Sequence, residues 1–334
     1  MYRKIMGFLE AWKESEHRKP LILQGARQVG KTYSILEFGR THYENVAYFN
    51  FETNPKLNKT FEENISPDYL IPILSHIAGQ TIVTEKTLIV FDEVQLCERA
   101  LTSLKYFCEN APDYHIIVAG SLLGVAVNRA KFSFPVGKVD MKTLYPMDME
   151  EFMLALGEDD LVEQIKKCFQ TDTPLPSALH DAAMQLYRQY LVVGGMPECV
   201  MQFAETKDYI LVRHTQDTIL ASYLNDMSKY NNLNEIKKTR LAYDNITVQL
   251  SKKNTRFQYK LIKKGGRASE FENAIEWLCL SGIVSQVYKV GQIKKPLENY
   301  RDIDAFKIYV SDLGLLCAKK DLAANDILYM VAVS

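Results

Sequence analysis

The segment from Gly25 to Thr32 has the spacing Gly-x-x-x-x-Gly-Lys-Thr, which is the phosphate-binding P-loop motif. It follows a short apolar run at 21–23 and precedes a helical pattern, which is the context that the motif needs. Glycines let backbone N–H groups converge on phosphate oxygens, and the following helix directs its positive end at the same anion. Lys31 would contact the β- and γ-phosphates of ATP, and the Thr32 hydroxyl would bind Mg²⁺. We therefore expect the nucleotide to be held by this loop and the residue after it: Gly25, Ala26, Arg27, Gln28, Val29, Gly30, Lys31, Thr32 and Tyr33.

A pair of carboxylates follows the apolar run at 88–91, namely Asp92 and Glu93. Alone, such a pair is usually a strand that meets solvent, but its position after a P-loop favours a catalytic interpretation. Asp92 would hold magnesium through water. Glu93 would polarise the attacking water and accept its proton while the bond to the γ-phosphate breaks. The sequence thus predicts Lys31 and Glu93 as catalytic residues, with Thr32 and Asp92 at the metal.

Ser121 comes directly after another apolar run, at 116–119. P-loop ATPases place a polar side chain that senses the γ-phosphate at such a position, so Ser121 is a third catalytic candidate. The alternative is that Ser121 only caps the segment that follows it. For an arginine finger acting on a neighbouring copy, the candidates are Arg27, Arg129 and Lys138, each of which could equally be a solvated surface charge.

The elements that must position these side chains alternate between strand and helix patterns. Unalternating apolar runs at 21–23, 46–51, 88–91 and 116–119 predict strands that are covered on both faces. Helical patterns at 2–14, 33–40, 67–78 and 98–110 accompany them. The expected fold class is α/β, a P-loop parallel sheet with helices on both faces, up to about residue 145.

The pattern changes after Tyr145-Pro146. Residues 148–163 contain seven acidic side chains and no basic one on a helical pattern. The whole segment 147–230 is predicted to be helical, with breaks at 171–174 and 194–197. From about 235 we expect a helix to 250, a basic stretch, a helix over 270–281 and β-like runs at 283–290 and 306–310. The predicted domains are 1–145 (nucleotide binding), 146–232 (helical lid), 233–320 (winged-helix-like) and 321–334 (C-terminal tail).

The basic stretch at 252–267 is the candidate nucleic-acid contact. It holds seven basic residues and no acidic one, with two aromatic residues interleaved: Lys252, Lys253, Arg256, Lys260, Lys263, Lys264 and Arg267, with Phe257 and Tyr259. Ser269-x-x-Glu272 predicts a capping box for the next helix, whose buried face would be Phe271, Ala274, Ile275 and Leu278. A helix-turn-helix with a wing can enter a major groove. The alternatives are a solvated face, a protein contact, or pairing with the acidic segment 148–163.

Composition sets limits on the remaining function classes. The 334 residues include 40 basic and 41 acidic side chains, so the net charge of −1 indicates no particular partner. The six cysteines are scattered without a Cys-x-x-Cys pair, as in a reducing compartment. The N-terminus has no apolar signal core, and the longest apolar run, at 116–127, is too short to span a bilayer. We expect a cytoplasmic protein with no membrane contact.

Together these motifs resemble the prokaryotic AAA-type P-loop ATPases that carry a C-terminal domain of unknown function. The likeness covers nearly the whole chain and lies in the runs 18–32, 48–52, 91–95, 119–121, 145–152, 190–197 and 307–316. It implies an ATPase whose cofactors are ATP and Mg²⁺, without implying a pathway. Such proteins commonly have Gly-Arg where this chain has Gly137-Lys138, which weakens an arginine-finger role there. They usually continue into a restriction-endonuclease-like domain that this sequence lacks, so no nuclease activity is expected.

Three functional hypotheses follow from the sequence. The first is a magnesium-dependent ATPase, whose lid closes over the nucleotide and excludes water. The second is a nucleotide-gated DNA-binding or scaffold protein with slow or negligible hydrolysis. A small-molecule kinase is disfavoured, because Glu93 suits water as the acceptor. AAA relatives often form rings, so a homo-oligomer is one expectation, with a monomer or dimer equally compatible with the sequence.

Overall fold

The computed structural model describes residues 1–128, 134–229, 232–252 and 256–329. The chain divides into two compact units. The N-terminal unit comprises Arg3–Tyr145, and the C-terminal unit comprises Pro146–Ser334 with Met1–Tyr2. The predicted division of residues after 145 into a lid and a winged-helix-like module stays a prediction.

The N-terminal unit is a five-stranded parallel sheet with helices on both faces, which confirms the predicted fold class. The strand order is β2-β3-β4-β1-β5. The strands are β1 (Leu21–Gln24), β2 (Asn45–Asn50), β3 (Thr87–Asp92), β4 (His115–Ala119) and β5 (Asp140–Thr143). The helices are α1 (Ile5–Lys13), α2 (Lys31–His42), α3 (Lys56–Glu63), α4 (Pro67–Ala78), α5 (Glu98–Asn110) and α6 (Leu123–Asn128).

Three neighbouring strands of the sheet, β1, β3 and β4, have their carboxyl ends on the same side. Strand β1 pairs with β4 and β5, and β3 pairs with β2 and β4, all in parallel. Carboxyl ends of parallel strands meet at the same edge, where open α/β sheets bind ligands. The segments that begin with Gly25, Glu93 and Gly120 therefore leave the sheet on the same side.

Complete burial explains why the strand sequences are continuously apolar. The residues of β1 from Leu21 to Leu23 and those of β3 from Leu88 to Phe91 have no exposed surface. Phe91 also joins an aromatic cluster, with ring centroids 5.6 Å from Phe61 and 5.9 Å from Phe51. Each such side chain stabilises the fold by about 1.5–3 kcal/mol. This core fixes the strand ends that carry the polar site residues.

Strand β5 and the helices α3 and α6 have no counterpart in the sequence prediction. Strand β5 reads Asp-Met-Lys-Thr and lies at the sheet edge with partly exposed side chains. An edge strand is not covered on both faces, so it needs no apolar run. Helix α3 buries only Leu57 and Phe61, which is too weak a period to stand out.

The C-terminal unit is mainly helical and ends with a two-stranded antiparallel hairpin followed by short helices. Helices α7 (Met149–Ala155), α8 (Asp159–Gln170), α9 (Ser177–Val193), α10 (Pro197–Thr206) and α11 (Tyr209–Lys229) fill the segment predicted as helical. They are followed by α12 (Leu233–Ser251), α13 (Tyr259–Ile262), α14 (Ala268–Leu280), β6 (Val284–Val290), β7 (Arg301–Val310), α15 (Leu313–Lys319) and α16 (Ala324–Leu328). No helix in the described part of the chain is both long and apolar enough to cross a membrane.

Two helix starts differ from the sequence prediction. The acidic pattern 148–163 is two helices, because the left-handed backbone of Gly157 ends the first one. The capping box predicted at Ser269 is wrong: α14 begins at Ala268 after Arg267, and no side chain caps it. Gly266 N donates to Lys263 O at 2.8 Å and closes a turn at Gly265-Gly266. Because of this turn, the chain enters α14 at Ala268, before the predicted cap at Ser269. The predicted buried face of α14 is confirmed.

A buried carboxylate ties two loops of the C-terminal unit together. Asp312 caps α15 through Leu315 N at 2.8 Å and accepts a second hydrogen bond from Gly195 N at 2.6 Å. A Cβ at Gly195 would lie 1.9 Å from Met147 O, so only glycine fits there. Burial raises the pKa of Asp312 to about 6, although the backbone donors act in the opposite direction.

Candidate nucleotide-binding site

The loop between β1 and α2 has the backbone that the motif requires. Gly25, Gln28 and Gly30 have φ angles of 148°, 66° and 91°, which glycine adopts at least cost. A Cβ at Gly25 would lie 2.2 Å from Leu144 O, so this position admits no side chain. The loop therefore closes tightly over the end of β1.

Lys31 is buried and folded back into its own loop. Only 7% of its surface is exposed, and Nζ donates to Gly25 O at 2.9 Å and to Ala26 O at 2.8 Å. The ammonium is thus held at the centre of the loop, where the carbonyl oxygens can be exchanged for phosphate oxygens.

A hydrogen bond joins the two predicted metal ligands. Thr32 Oγ1 donates to Asp92 Oδ2 at 2.8 Å, and Asp92 is only 4% exposed. The Tyr48 hydroxyl donates to the same oxygen at 2.8 Å, while Glu93 N donates to Oδ1 at 2.9 Å. Burial is the main cause that raises the pKa of Tyr48 to about 12, so its hydroxyl stays a donor at neutral pH.

The donor set fits a magnesium ion that is shared with a nucleotide. Mg²⁺ prefers oxygen ligands and is usually bound by one or two carboxylates together with substrate phosphates. One hydroxyl and one carboxylate converge here, and Thr32 is the second residue of α2, at the end that attracts anions. Among the described residues there is no group of three or more His, Cys, Asp or Glu side chains that could hold a metal without phosphate.

Glu93 and Ser121, both predicted to be catalytic, also lie together. The Glu93 carboxylate accepts a hydrogen bond at Oε2 from Gln95 Nε2, and Ser121 Oγ is 3.5 Å from the same oxygen. Glu93 has a left-handed backbone with φ of 51° at the start of a 3₁₀ turn, Val94–Leu96. A non-glycine residue in this region is uncommon and often belongs to a functional site.

Three contacts of the site were not predicted from the sequence. Tyr48 and Gln95 contact the two carboxylates, as described above. The third contact comes from buried Arg3, which donates from Nη1 to Val29 O at 2.9 Å and from Nη2 to Tyr145 O at 2.8 Å. The hydrogen bond to Val29 holds the backbone of the P-loop in place. Gln95 could have been found from its position two residues after the predicted base. Tyr48 and Arg3 could not, because their contacts with the site depend on the order of the strands.

The remaining predicted residues differ in their surroundings. Tyr33 is 59% exposed, and Arg27 is half-buried. Lys138 Nζ lies 3.0 Å from Glu109 Oε1 in a partly exposed ion pair. Arg129 lies outside the described residues.

The basic residues of the stretch 252–267 are exposed wherever the structure describes them, and Lys253 lies outside the described residues. Lys263 Nζ is 3.2 Å from Glu270 Oε1. An open pocket beside the stretch is lined by Lys252, Arg256 and Lys307 together with Gln249, Leu250, Phe257 and Ile308. None of these lining residues is acidic, so the described part of this pocket suits an anion.

Two family models match different segments of the chain. Residues 17–153 match a family model described as an AAA domain. Residues 184–326 match a model described as a domain of unknown function. No curated protein matches the sequence.

Three solved structures are similar to the chain at low sequence identity. A Walker-type ATPase of Pyrococcus abyssi is 13% identical, with a TM-score of 0.59 over 96% of this chain and 95% of that one. The ORC2 protein of Aeropyrum pernix is 12% identical over 96% and 94%, with a TM-score of 0.48. The RuvB Holliday junction branch migration motor of Thermotoga maritima is 13% identical over 92% and 90%, with a TM-score of 0.36. Of these, the Walker-type ATPase shares the fold with this chain, and at 13% identity the likeness concerns the fold alone.

The matched segment 17–153 contains the P-loop, Asp92, Glu93 and Ser121. The described sheet and this family match agree with the resemblance seen in the sequence. The chain thus resembles the AAA-type P-loop ATPases in its segment 17–153, and its segment 184–326 matches a domain of unknown function.

Proposed function

We propose that the N-terminal unit binds ATP with Mg²⁺ and hydrolyses it to ADP and phosphate. The observation that carries the proposal is the hydrogen bond from Thr32 to Asp92, next to a P-loop that encloses Lys31. These residues come from two strand ends, and their side chains meet in one place. Such convergence supports a site for a phosphate chain and a divalent cation.

Binding is assigned to the loop itself. Backbone N–H groups of 25–32 would contact phosphate oxygens, and Lys31 would exchange its two carbonyl acceptors for the β- and γ-phosphates. Thr32 and Asp92 would hold the magnesium, which neutralises developing charge on the phosphates when it is bound. Tyr48 keeps the Asp92 carboxylate oriented through its hydroxyl.

Glu93 is assigned as the base. Glu93 follows Asp92 in the chain, and besides burial the charges of both carboxylates contribute to the raised pKa of Tyr48. In this scheme Glu93 accepts a proton from the attacking water. Ser121, 3.5 Å from Glu93 Oε2, is assigned to the γ-phosphate end of the site. Water rather than a second substrate is the acceptor in this scheme, which separates hydrolysis from the kinase alternative.

Phosphate release tests this proposal. The purified protein is incubated with ATP and with either MgCl₂ or excess EDTA, and inorganic phosphate is followed over time. We expect turnover only with magnesium, and loss of turnover in Lys31→Ala. If ATP binds with magnesium but no phosphate is released, the protein is the nucleotide-gated binding protein of the second hypothesis.

Nucleic-acid binding by the C-terminal unit is a second candidate function. The pocket lined by Lys252, Arg256 and Lys307 favours it, because these three cations have no acidic residue among the pocket's lining and further exposed cations follow in the same segment, 256–267. Repeated cations suit a ligand with repeated phosphates. Fluorescence anisotropy with duplex and single-stranded oligonucleotides should show affinity that falls steeply with salt. Replacing Lys252, Lys264 and Lys307 with Ala should reduce the salt slope by about one for each of these lysines that binds a phosphate in the parent protein. Absence of binding at low salt would rule this candidate out.

Four further expectations belong to the same proposal. We assign 146–232 as a lid and 233–320 as a winged-helix-like module. The cytoplasm is the proposed location, supported by six cysteines that are all free. A homo-oligomer stays an expectation that the molar mass in solution, with and without nucleotide, will test.

A further inference from the structure

We infer that Gln95 is a positioning residue for Glu93. Its side-chain amide holds one oxygen of the carboxylate, so that the other oxygen is left to accept the proton of the attacking water. The inference rests on the proposed hydrolysis of ATP and adds a residue to it.

The two oxygens of the Glu93 carboxylate have different surroundings. Gln95 Nε2 donates to Oε2, and Ser121 Oγ approaches the same oxygen at 3.5 Å. Among the described residues, no donor is hydrogen-bonded to Oε1. A carboxylate that accepts hydrogen bonds at one oxygen still has the lone pairs of its other oxygen to accept a proton. This is the state that a general base requires.

The backbone brings Gln95 back to Glu93. Glu93 begins the 3₁₀ turn with a left-handed φ of 51°, and Leu96 N donates to Glu93 O at 3.1 Å. With the backbone in this conformation, the Gln95 side chain contacts the Glu93 carboxylate. Asp92 Oδ1 accepts from Glu93 N at 2.9 Å, which also fixes the backbone on the other side of the base.

Gly120 at the end of β4 makes room for the amide. A Cβ at this position would lie 2.1 Å from Gln95 Oε1 and 3.2 Å from its Cδ. The carboxamide is thus confined between the Glu93 carboxylate and Gly120. Because a carboxylate only accepts hydrogen bonds, the amide must turn its nitrogen toward Glu93 and its oxygen toward Gly120. The contact with Glu93 therefore determines which way the amide faces.

Kinetics of two variants at this position test the inference. Gln95→Met keeps the length of the side chain without a donor, and Gln95→Glu keeps its shape but places a second carboxylate beside Glu93. We expect kcat to fall about tenfold or more in both variants, because each loses a hydrogen bond to a charged group. The KM for ATP should be unchanged. Gln164→Met, an exposed glutamine of the C-terminal unit, is the matched control and should keep the parental kcat.

A double-mutant cycle separates positioning from packing. In a Glu93→Gln background, Gln95→Met should lower the residual rate no further, because there is no base left to position. Circular dichroism checks that each variant is folded. Parental kcat in folded Gln95→Met, or an undiminished effect in the Glu93→Gln background, would overturn the inference while leaving the proposed function intact. A parent protein that releases no phosphate would overturn both.

Discussion

Thr32 and Asp92 are 60 residues apart in the chain, and the Thr32 hydroxyl donates a hydrogen bond of 2.8 Å to Asp92 Oδ2. Thr32 is the second residue of the helix after the P-loop, and Asp92 ends strand β3. Strand β4 lies between β1 and β3 in the sheet, so the contact depends on the whole strand order. The polar site therefore requires the folded core beneath it.

The Asp92→Asn substitution should weaken the response to magnesium. The amide keeps an oxygen for Thr32 and Tyr48 but loses the charge that attracts the cation. We expect the MgCl₂ concentration for half-maximal turnover to rise about tenfold or more, with a lower maximal rate. Asp113→Asn, at an exposed position before β4, should behave like the parent. An unchanged magnesium curve for Asp92→Asn would show that another residue holds the metal.

The Glu93→Gln substitution should separate binding from chemistry. The side chain keeps its shape but loses the proton acceptor, so hydrolysis should fall about 100-fold or more while ATP still binds. Single-turnover phosphate release and an equilibrium ATP titration measure the two effects. Glu98→Gln, an exposed residue at the start of α5, serves as the control. Parental hydrolysis in Glu93→Gln would mean that a different residue is the base.

The Gly120→Ala substitution should slow hydrolysis at little cost in stability. Gly120 does not have a positive φ, so alanine suits its backbone. The added Cβ would press on the far end of the flexible Gln95 side chain, which can move away and release Glu93. We expect about a tenfold loss of kcat with a nearly unchanged melting temperature. A normal kcat in this variant would indicate that the amide keeps its hydrogen bond to Glu93 despite the added methyl group.

Much of the fold could be predicted because three strands of the sheet, β1, β3 and β4, are buried on both faces. The runs at 21–23 and 88–91 are continuously apolar for that reason, and the P-loop has a fixed spacing. Strand β5 escaped prediction because its edge position allows Asp140 and Lys142 within it. The capping signal at Ser269 misled because the preceding Gly265-Gly266 turn, a tertiary feature, decides where α14 begins.

Residues of the site could be predicted only where they belong to one short segment of the sequence. Gly25, Lys31 and Thr32 share a motif, and Asp92 and Glu93 are adjacent. Tyr48 and Arg3 reach the site through the order of strands and the packing of the N-terminal segment, which leave no local spacing in the sequence. Their roles follow from topology, so one sequence read alone gives no reason to single them out.

Stability of the C-terminal unit should depend on pH through Asp312. Its pKa is raised to about 6 in the folded chain by burial, so the folded state binds the proton more tightly than the unfolded state. This contribution is fully present below pH about 4 and is lost as the pH rises through about 6. The free energy of unfolding should therefore fall by up to about 3 kcal/mol over that range.

Urea unfolding at several pH values, followed with a probe in the C-terminal unit, measures this effect. In Asp312→Asn the side chain no longer titrates, so the difference between parent and variant in the free energy of unfolding should change between pH 4 and pH 6. The informative quantity is how this difference changes with pH. Its absolute size also reflects the loss of an acceptor for Gly195 N or Leu315 N in the amide. A pH-independent difference would contradict the assignment.

The most direct test of the account is equilibrium binding of ATP to the parent protein and to Lys31→Ala in the presence of magnesium. Lys31 supplies the side-chain cation at the centre of the P-loop, and its interaction with phosphate is worth roughly 1.5–3 kcal/mol. Isothermal titration should show ATP binding to the parent and an affinity at least about tenfold lower in Lys31→Ala, with Lys59→Ala, an exposed lysine of α3, unchanged. Equal ATP affinity in the parent and a folded Lys31→Ala, or no binding to the parent, would contradict a nucleotide site at Gly25–Thr32.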